Sequence, residues 1–117
     1  MAVIGHTTIT PTQLGQANIA IAPGTVLYTA VASTTGLLKA FDICNTTIAA
    51  ITVSVYLVPV GGTAGAANAI LFTVSVGIAG TYTWRGTQVI PAGGSIQAIA
   101  SAVGCTFTGA GAVYSTI

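Results

Sequence analysis

Charged side chains are almost absent from this sequence. Among its 117 residues, Lys39, Asp42 and Arg85 are the only charged ones, and glutamate does not occur. The net charge of +1 is too small to attract nucleic acid or an anionic membrane. A surface with so little charge also has little repulsion to keep copies apart. The composition therefore favours a protein whose surface is covered by further copies or by a partner.

The shortage of titratable groups excludes most catalytic arrangements. Asp42 is the single carboxylate side chain, so mechanisms that need two carboxylates in one chain are excluded. His6 is the single histidine, and no Gly-x-Ser-x-Gly sequence accompanies it. The two cysteines, Cys44 and Cys105, lack the spacing of a metal site. We predict a protein that is not an enzyme and takes no metal, cofactor or small-molecule substrate.

The sequence also lacks a long uninterrupted apolar run. Thr, Ser or Gly breaks every apolar stretch before the roughly 20 residues of a spanning helix are reached, so we predict no membrane partner. The first residues show neither a basic region nor an apolar core of an export signal. Cys44 and Cys105 could pair in an oxidising compartment, but without such a signal we expect two free, buried thiols.

What the sequence does contain is alternation of period two. In residues 51–59, Ile51, Val53, Val55 and Leu57 fall on one face, whereas the residues between them are polar or aromatic. Similar segments, separated by turn residues, recur about every ten residues. They lie at 25–31, 37–44, 51–59, 69–76, 81–84 with 87–90, 95–100 and 105–114. The pattern predicts an all-β, single-domain β-sandwich or jelly roll of seven to eight short antiparallel strands.

Two segments are less regular. Residues 1–24 are polar and rich in turn formers, so we assign them to an extended N-terminal arm that contacts a neighbouring subunit, and residues 25–117 to the β-sandwich domain. Residues 18–22 alternate and could form a short edge strand. In residues 37–44, either assignment of alternate side chains to the two faces places a charged residue on a face with apolar ones. We favour Phe41 and Ile43 pointing inward. Either Lys39 extends its ammonium group to solvent, or a bulge in the strand resolves the conflict.

A few side chains are candidates for recognition. Tyr82 and Trp84 share one face of a strand and are followed by Arg85. Tyr56 occupies the second face of the strand at 51–59. Such aromatic residues can fill the core, anchor a subunit interface or stack on a sugar. We take these four residues as a possible interface, and expect Asp42 to pair with Lys39 or Arg85.

Several segments carry a family resemblance. They read KAFDICNTT at 39–47, VSVYLVP at 53–59, GGTAGAANAI at 61–70, GTYTWRG at 80–86 and IPAGGSIQA at 90–98. Over about residues 25–115, with a last strand rich in Thr and Gly, the chain resembles small virion structural proteins of tailed bacteriophages. The resemblance implies a β-sandwich or jelly roll that acts as a capsid decoration (cement) protein or a small tail-associated protein, commonly trimeric. It implies no catalytic residues.

Three functions follow as hypotheses. The first is a capsid decoration protein that forms a homotrimer, binds the major capsid protein and resides in the virion, assembled in the host cytoplasm. The second is a small tail or fibre protein that offers Tyr82 and Trp84 to a glycan receptor. The third is an exported adhesin or pilus-type domain, which requires a disulfide between Cys44 and Cys105.

Overall fold

The computed structural model describes residues 7–116, which form two four-stranded antiparallel sheets packed face to face. The strands are β1 (Thr7–Asn18), β2 (Thr25–Thr29), β3 (Thr34–Asn45), β4 (Ile51–Val58), β5 (Ala69–Val76), β6 (Thr81–Ile90), β7 (Ser95–Ala100) and β8 (Cys105–Thr116). Sheet A has the order β1-β8-β3-β6, and sheet B has the order β2-β7-β4-β5. The predicted all-β sandwich of about eight strands is confirmed.

The connectivity is that of a jelly roll. The chain behaves as one long hairpin, in which β4 pairs with β5 while β3–β6, β2–β7 and β1–β8 pair progressively farther out. Wrapping this hairpin makes the chain cross from one sheet to the other at every connection except the central β4–β5 hairpin, which is the double Greek key of jelly rolls. The loops after β1, β3, β5 and β7 consequently lie together at one end of the sandwich.

The first strand arises within the segment that we assigned to an arm. Residues 7–18 pair with β8 of the same chain, and Leu14 is fully buried. The sandwich therefore begins before residue 25. The predicted edge strand at 18–22 is wrong, because the strand ends at Asn18 and the chain then turns toward β2. Residues 1–6, which include His6, lie outside the described residues, and the contact of an arm with a neighbouring subunit is a prediction that the single chain does not address.

One line of β-bulges crosses sheet A and resolves the parity of the third strand. The register shifts at Lys39 in β3, and opposite it in β6, so that Leu38 and Phe41 both point inward. Phe41 and Ile43 are buried as predicted. The same bulge joins the two predicted segments at 81–84 and 87–90 into the single strand β6. In the Gly-rich loop before β5, Ala66–Asn68 form one turn of 3-10 helix, which the sequence pattern did not indicate.

The core lies between the sheets and extends to the ends of the strands. Its largest fully buried side chains are Phe41, Phe107, Leu14, Ile19, Leu38, Ile43, Ile51, Ile90 and Ile96. On β8 the inner face carries Gly109 and Gly111. A Cβ atom at Gly111 would collide with the carbonyl oxygen of Leu37. The missing side chains let Leu14 of β1 fold over β8 and close this side of the sandwich.

Candidate interaction surfaces

The four residues proposed for an interface lie on three different surfaces. Tyr82 and Trp84 point inward from β6 and are half-buried against the core, which confirms that they share a face. Arg85 lies exposed on the outer face of sheet A. Tyr56 lies half-buried on β4, next to Gln97 of β7 in sheet B. The structure does not bring these side chains into one contiguous site.

Trp84 extends an aromatic stack from the core to the edge of the sandwich. Its ring lies parallel to that of Phe41, with centroids 5.2 Å apart and an interplanar angle of 9°. Phe41 in turn packs on Phe107 with centroids 5.0 Å apart. The indole also lies against Gly86, where a Cβ atom would approach a ring carbon to 2.9 Å. Trp84 therefore contributes to packing and presents only its outer part to solvent.

A cleft of about 350 Å³ opens beside Trp84, at the edge where β6 faces the β4–β5 hairpin. It is lined by Leu57, Asn68, Ala69, Ile70, Trp84 and Gln88. The Asn68 amide is engaged within its own loop, since it donates to Thr63 O and accepts from Gly65 N. The lining has an indole, aliphatic groups and the Gln88 amide, but no acid or base. Such a cleft can hold a flat or apolar group, and it offers no proton-transfer chemistry.

The outer face of sheet A is divided into an apolar and a polar half. Residues paired across three or all four strands share this face and form rows, because directly paired residues project to the same side. From one end the rows are Ile9–Tyr114–Thr35, Pro11–Ala112–Leu37–Val89, Gln13–Ala110–Ala40–Arg85, Gln16–Thr108–Asp42–Thr83 and Asn18–Thr106–Cys44–Thr81. Around Gly36, the first two rows enclose a shallow depression of about 270 Å³.

All three charged side chains of the sequence lie on sheet A, and threonines bind two of them. Lys39 Nζ donates to Thr87 Oγ1 at 2.9 Å, and Thr83 Oγ1 donates to Asp42 Oδ1 at 2.7 Å. The ion pair that we expected for Asp42 is thus replaced by a hydroxyl contact on the neighbouring strand. The strands and loops of sheet B carry no charged side chain at all.

The end of the sandwich where four loops meet presents one aliphatic side chain from each loop. These are Ile21, Ile48, Ile78 and Val103, with exposed fractions of 50%, 91%, 63% and 68%. The loops are tied together by backbone hydrogen bonds, among them Ala79 N to Thr47 O and Thr46 N to Gly104 O. The loop end is therefore an ordered, uncharged surface, and it is a second place where the molecule exposes apolar groups.

The two thiols are free, as predicted, but only Cys105 is fully buried as expected, and the two lie on opposite faces of sheet A. Cys44 is half-buried on the outer face, whereas Cys105 is fully buried in the core. Cys105 is directly paired with Asn45 and not with Cys44, so the two Cβ atoms project in opposite directions. The disulfide that an exported adhesin requires is not formed.

We expect the free energy of unfolding to fall at alkaline pH, because burial makes two titratable groups of the folded chain harder to deprotonate. Burial, and secondarily the proximity of Cys44, raises the pKa of Cys105 above its ordinary 9.0, and burial raises the pKa of Tyr28 above 10.0. The folded chain holds these protons more tightly than the unfolded chain does. This stabilisation is complete below pH 9 and is lost as the pH rises through the raised values.

Thermal unfolding measured from pH 7 to 11 should show this decline. In Cys105→Ala, the decline should begin at a higher pH, where only Tyr28 contributes, whereas Cys44→Ala should remove only the secondary cause and keep most of the wild-type decline. Identical pH profiles for Cys105→Ala and the wild type would contradict the assignment to the buried thiol.

The described residues also form neither a metal site nor a membrane-spanning helix. Within residues 7–116, no group of three or more His, Cys, Asp or Glu side chains is positioned to hold a metal ion. None of the helical structure in that range is long and apolar enough to cross a membrane.

Comparison with known proteins adds a structural likeness. No family model and no curated protein matches the chain. A chain in the structure of infectious bursal disease virus, Gx strain, superposes with a TM-score of 0.48 at 14% sequence identity. The match covers 97% of the present chain and 33% of the viral one, so the present chain spans about a third of that length.

The rows of sheet A and the loop end were not found from the sequence. Both depend on residues far apart in the chain, such as Pro11 and Val89, whose proximity is set by strand order. The sequence contained only an indirect indication of the loop end. Each of the four loops contains at least one Ile or Val among mainly small residues, where turns usually carry polar residues.

Proposed function

We propose that the chain is a non-enzymatic structural protein of a virus particle. More specifically, it acts as a decoration (cement) protein of a tailed-bacteriophage head, which binds as an oligomer to the major capsid protein and holds neighbouring capsomers together. It joins the particle during assembly in the host cytoplasm. No catalytic group, cofactor or nucleic acid takes part.

The observation that carries this proposal is an outer surface that is largely apolar or neutral, with its three charged side chains confined to sheet A. Large hydrophobic side chains are exposed on both sheets and at both ends: Ile9, Ile21, Val26, Val31, Ile48, Val60, Phe72, Ile78, Val89 and Val103. Soluble domains carry about 25% charged residues, which this chain replaces with Thr, Ser, Ala and Gly. A protein that spends its working life packed among neighbours has no need of charge-based solubility.

The fold is consistent with such a role. Jelly rolls occur in viral capsid domains, but also in lectins and in cupins, so the fold alone assigns no function. Cupin-type chemistry requires a metal site, and residues 7–116 provide none of three or more ligands. What distinguishes this chain is therefore its surface and not its topology.

Fractionation of purified particles tests the proposal. We expect to find the protein in tail-free heads. Its copy number should be a multiple of the number of capsomers. Heads that lack it should lose DNA at a lower temperature than complete heads, and added purified protein should restore their stability. Absence from heads, or heads of unchanged thermal stability after deletion, would contradict the proposal.

A tail or fibre protein that binds a receptor glycan is the second candidate, and the cleft beside Trp84 favours it. An indole next to a free amide is suited to a sugar ring. In this case labelling should place the protein at the tail tip, and a glycan array should show binding. Because Trp84 also packs on Phe41, Gln88→Ala is the better variant, since it should remove binding while leaving the aromatic stack intact.

A further inference from the structure

We propose that the outer face of sheet A binds the same face of a second copy, and that the twofold axis runs parallel to the strands. The proposal concerns self-association, which the proposed function uses, but it is tested separately. A twofold pair also differs from the trimer that the family resemblance implies.

The first argument is the size of the face. Four strands spaced by about 4.8 Å, with rows that extend over roughly 30 Å, give a flat area of roughly 600 Å². A stable protein–protein interface buries about 800 Å² per partner. One complete face of sheet A therefore approaches what a dimer requires, whereas the depression around Gly36 alone does not.

The second argument is the distribution of apolar groups. If the axis runs along the strands, each row meets the same row of the other copy in reverse order, so β1 faces β6 and β8 faces β3. Pro11 then faces Val89 of the second copy, and Ala112 faces Leu37. The apolar half covers the apolar half. An axis across the strands at the centre of the face would place this half over the polar rows.

The third argument is the distribution of charge. In the reversed rows, Arg85 meets Gln13 of the second copy, and Asp42 meets Thr108. Each charged group finds a neutral hydrogen-bonding partner, and no charge meets its own copy. Lys39 lies nearer the centre, but its ammonium group is held by Thr87 toward the β6 edge, where it keeps access to solvent.

Analytical ultracentrifugation of the purified full-length chain tests the pairing. We expect a dimer at micromolar concentration. Val89→Asp, which places a carboxylate in the apolar rows, should raise the dissociation constant of this dimer at least about tenfold. Val26→Asp is the matched control, since Val26 is 58% exposed on an edge strand of sheet B and Val89 is 53% exposed on an edge strand of sheet A. The control should leave the dimer unchanged.

A second pair of variants tests the reversed register. Within one chain, Gln13 and Arg85 lie on opposite edges of sheet A, about 14 Å apart, where salt at physiological strength screens their interaction. Gln13→Glu should therefore tighten the dimer severalfold through Arg85 of the second copy, and Gln13→Arg should weaken it. In the Arg85→Gln background, the difference between the two should disappear.

The outcomes are distinct. A monomeric wild type, an oligomer that Val89→Asp does not change, or equal effects of Gln13→Glu and Gln13→Arg would each overturn the pairing. A dimer with the expected variant effects, in a protein that is absent from virus heads, would retain the interface and remove the proposed function.

Discussion

Replacing Phe41 with alanine is expected to lower the free energy of unfolding by about 3–5 kcal/mol. Phe41 is 1% exposed and lies in the middle of the aromatic stack, between Trp84 and Phe107. Its strand, β3, is an inner strand of sheet A. Removal of the ring leaves a cavity that the two flanking rings cannot fill. For a domain whose total stability is about 5–15 kcal/mol, this is a large fraction.

Denaturant unfolding followed by tryptophan fluorescence measures this loss, with Phe72→Ala as the control. Phe72 is 53% exposed on β5, so the same truncation there should change stability by less than about 1 kcal/mol. Circular dichroism provides a signal that does not depend on Trp84. Equal losses in the two variants would show that the stack between the sheets is not the centre of the core.

The second large effect is expected at Asn45, whose side chain is fully buried and makes every hydrogen bond available to it. Its Nδ2 donates to Ala49 O at 2.7 Å and to Val76 O at 3.1 Å. Its Oδ1 accepts from Thr47 N at 2.9 Å and from Thr47 Oγ1 at 2.7 Å. One amide thus fixes the loop after β3 and joins it to the end of β5.

Asn45→Ala should lower stability by about 3 kcal/mol, because it removes four hydrogen bonds, of which the one to Val76 O is buried. Asn18→Ala is the control. Asn18 is exposed, and its single side-chain contact is with the Thr106 hydroxyl at 3.1 Å, so its loss should have little effect. Hydrogen exchange at Thr47 should also accelerate in Asn45→Ala. Stability within about 1 kcal/mol of the wild type would show that water replaces the amide.

Alternation was sufficient to predict most of the sandwich, and the first strand shows where it fails. The segments at 51–59, 69–76 and 95–100 contain apolar residues at every second position, and each forms a strand. The sequence of β1 is instead mostly polar and contains Pro11, and a glycine lies at its bulge. It is nevertheless a strand, because its place at the edge of sheet A lets proline omit a ladder hydrogen bond.

The surfaces could not be predicted to the same degree, since they depend on register. Alternation correctly placed Tyr82 and Trp84 on one face, but it could not say that this face is the inner one. The strand that carries Tyr56 lies in the other sheet, which only the order of strands determines. Nor does the sequence show that Pro11, Ala112, Leu37 and Val89 form one row, because no local pattern relates them.

The nested pairing of the strands has a consequence for how the protein is made. The β4–β5 hairpin closes locally, but β8 lies between β1 and β3, so until β8 is synthesised β1 has no partner in its sheet and β3 has only β6. Such non-local pairing slows folding and prolongs the time during which strand edges are open. β1 and β8 have no charged residues that would act as gatekeepers against association. Newly made chains should therefore depend on chaperones, or on prompt capture by an assembling partner, more than the small size of the domain suggests.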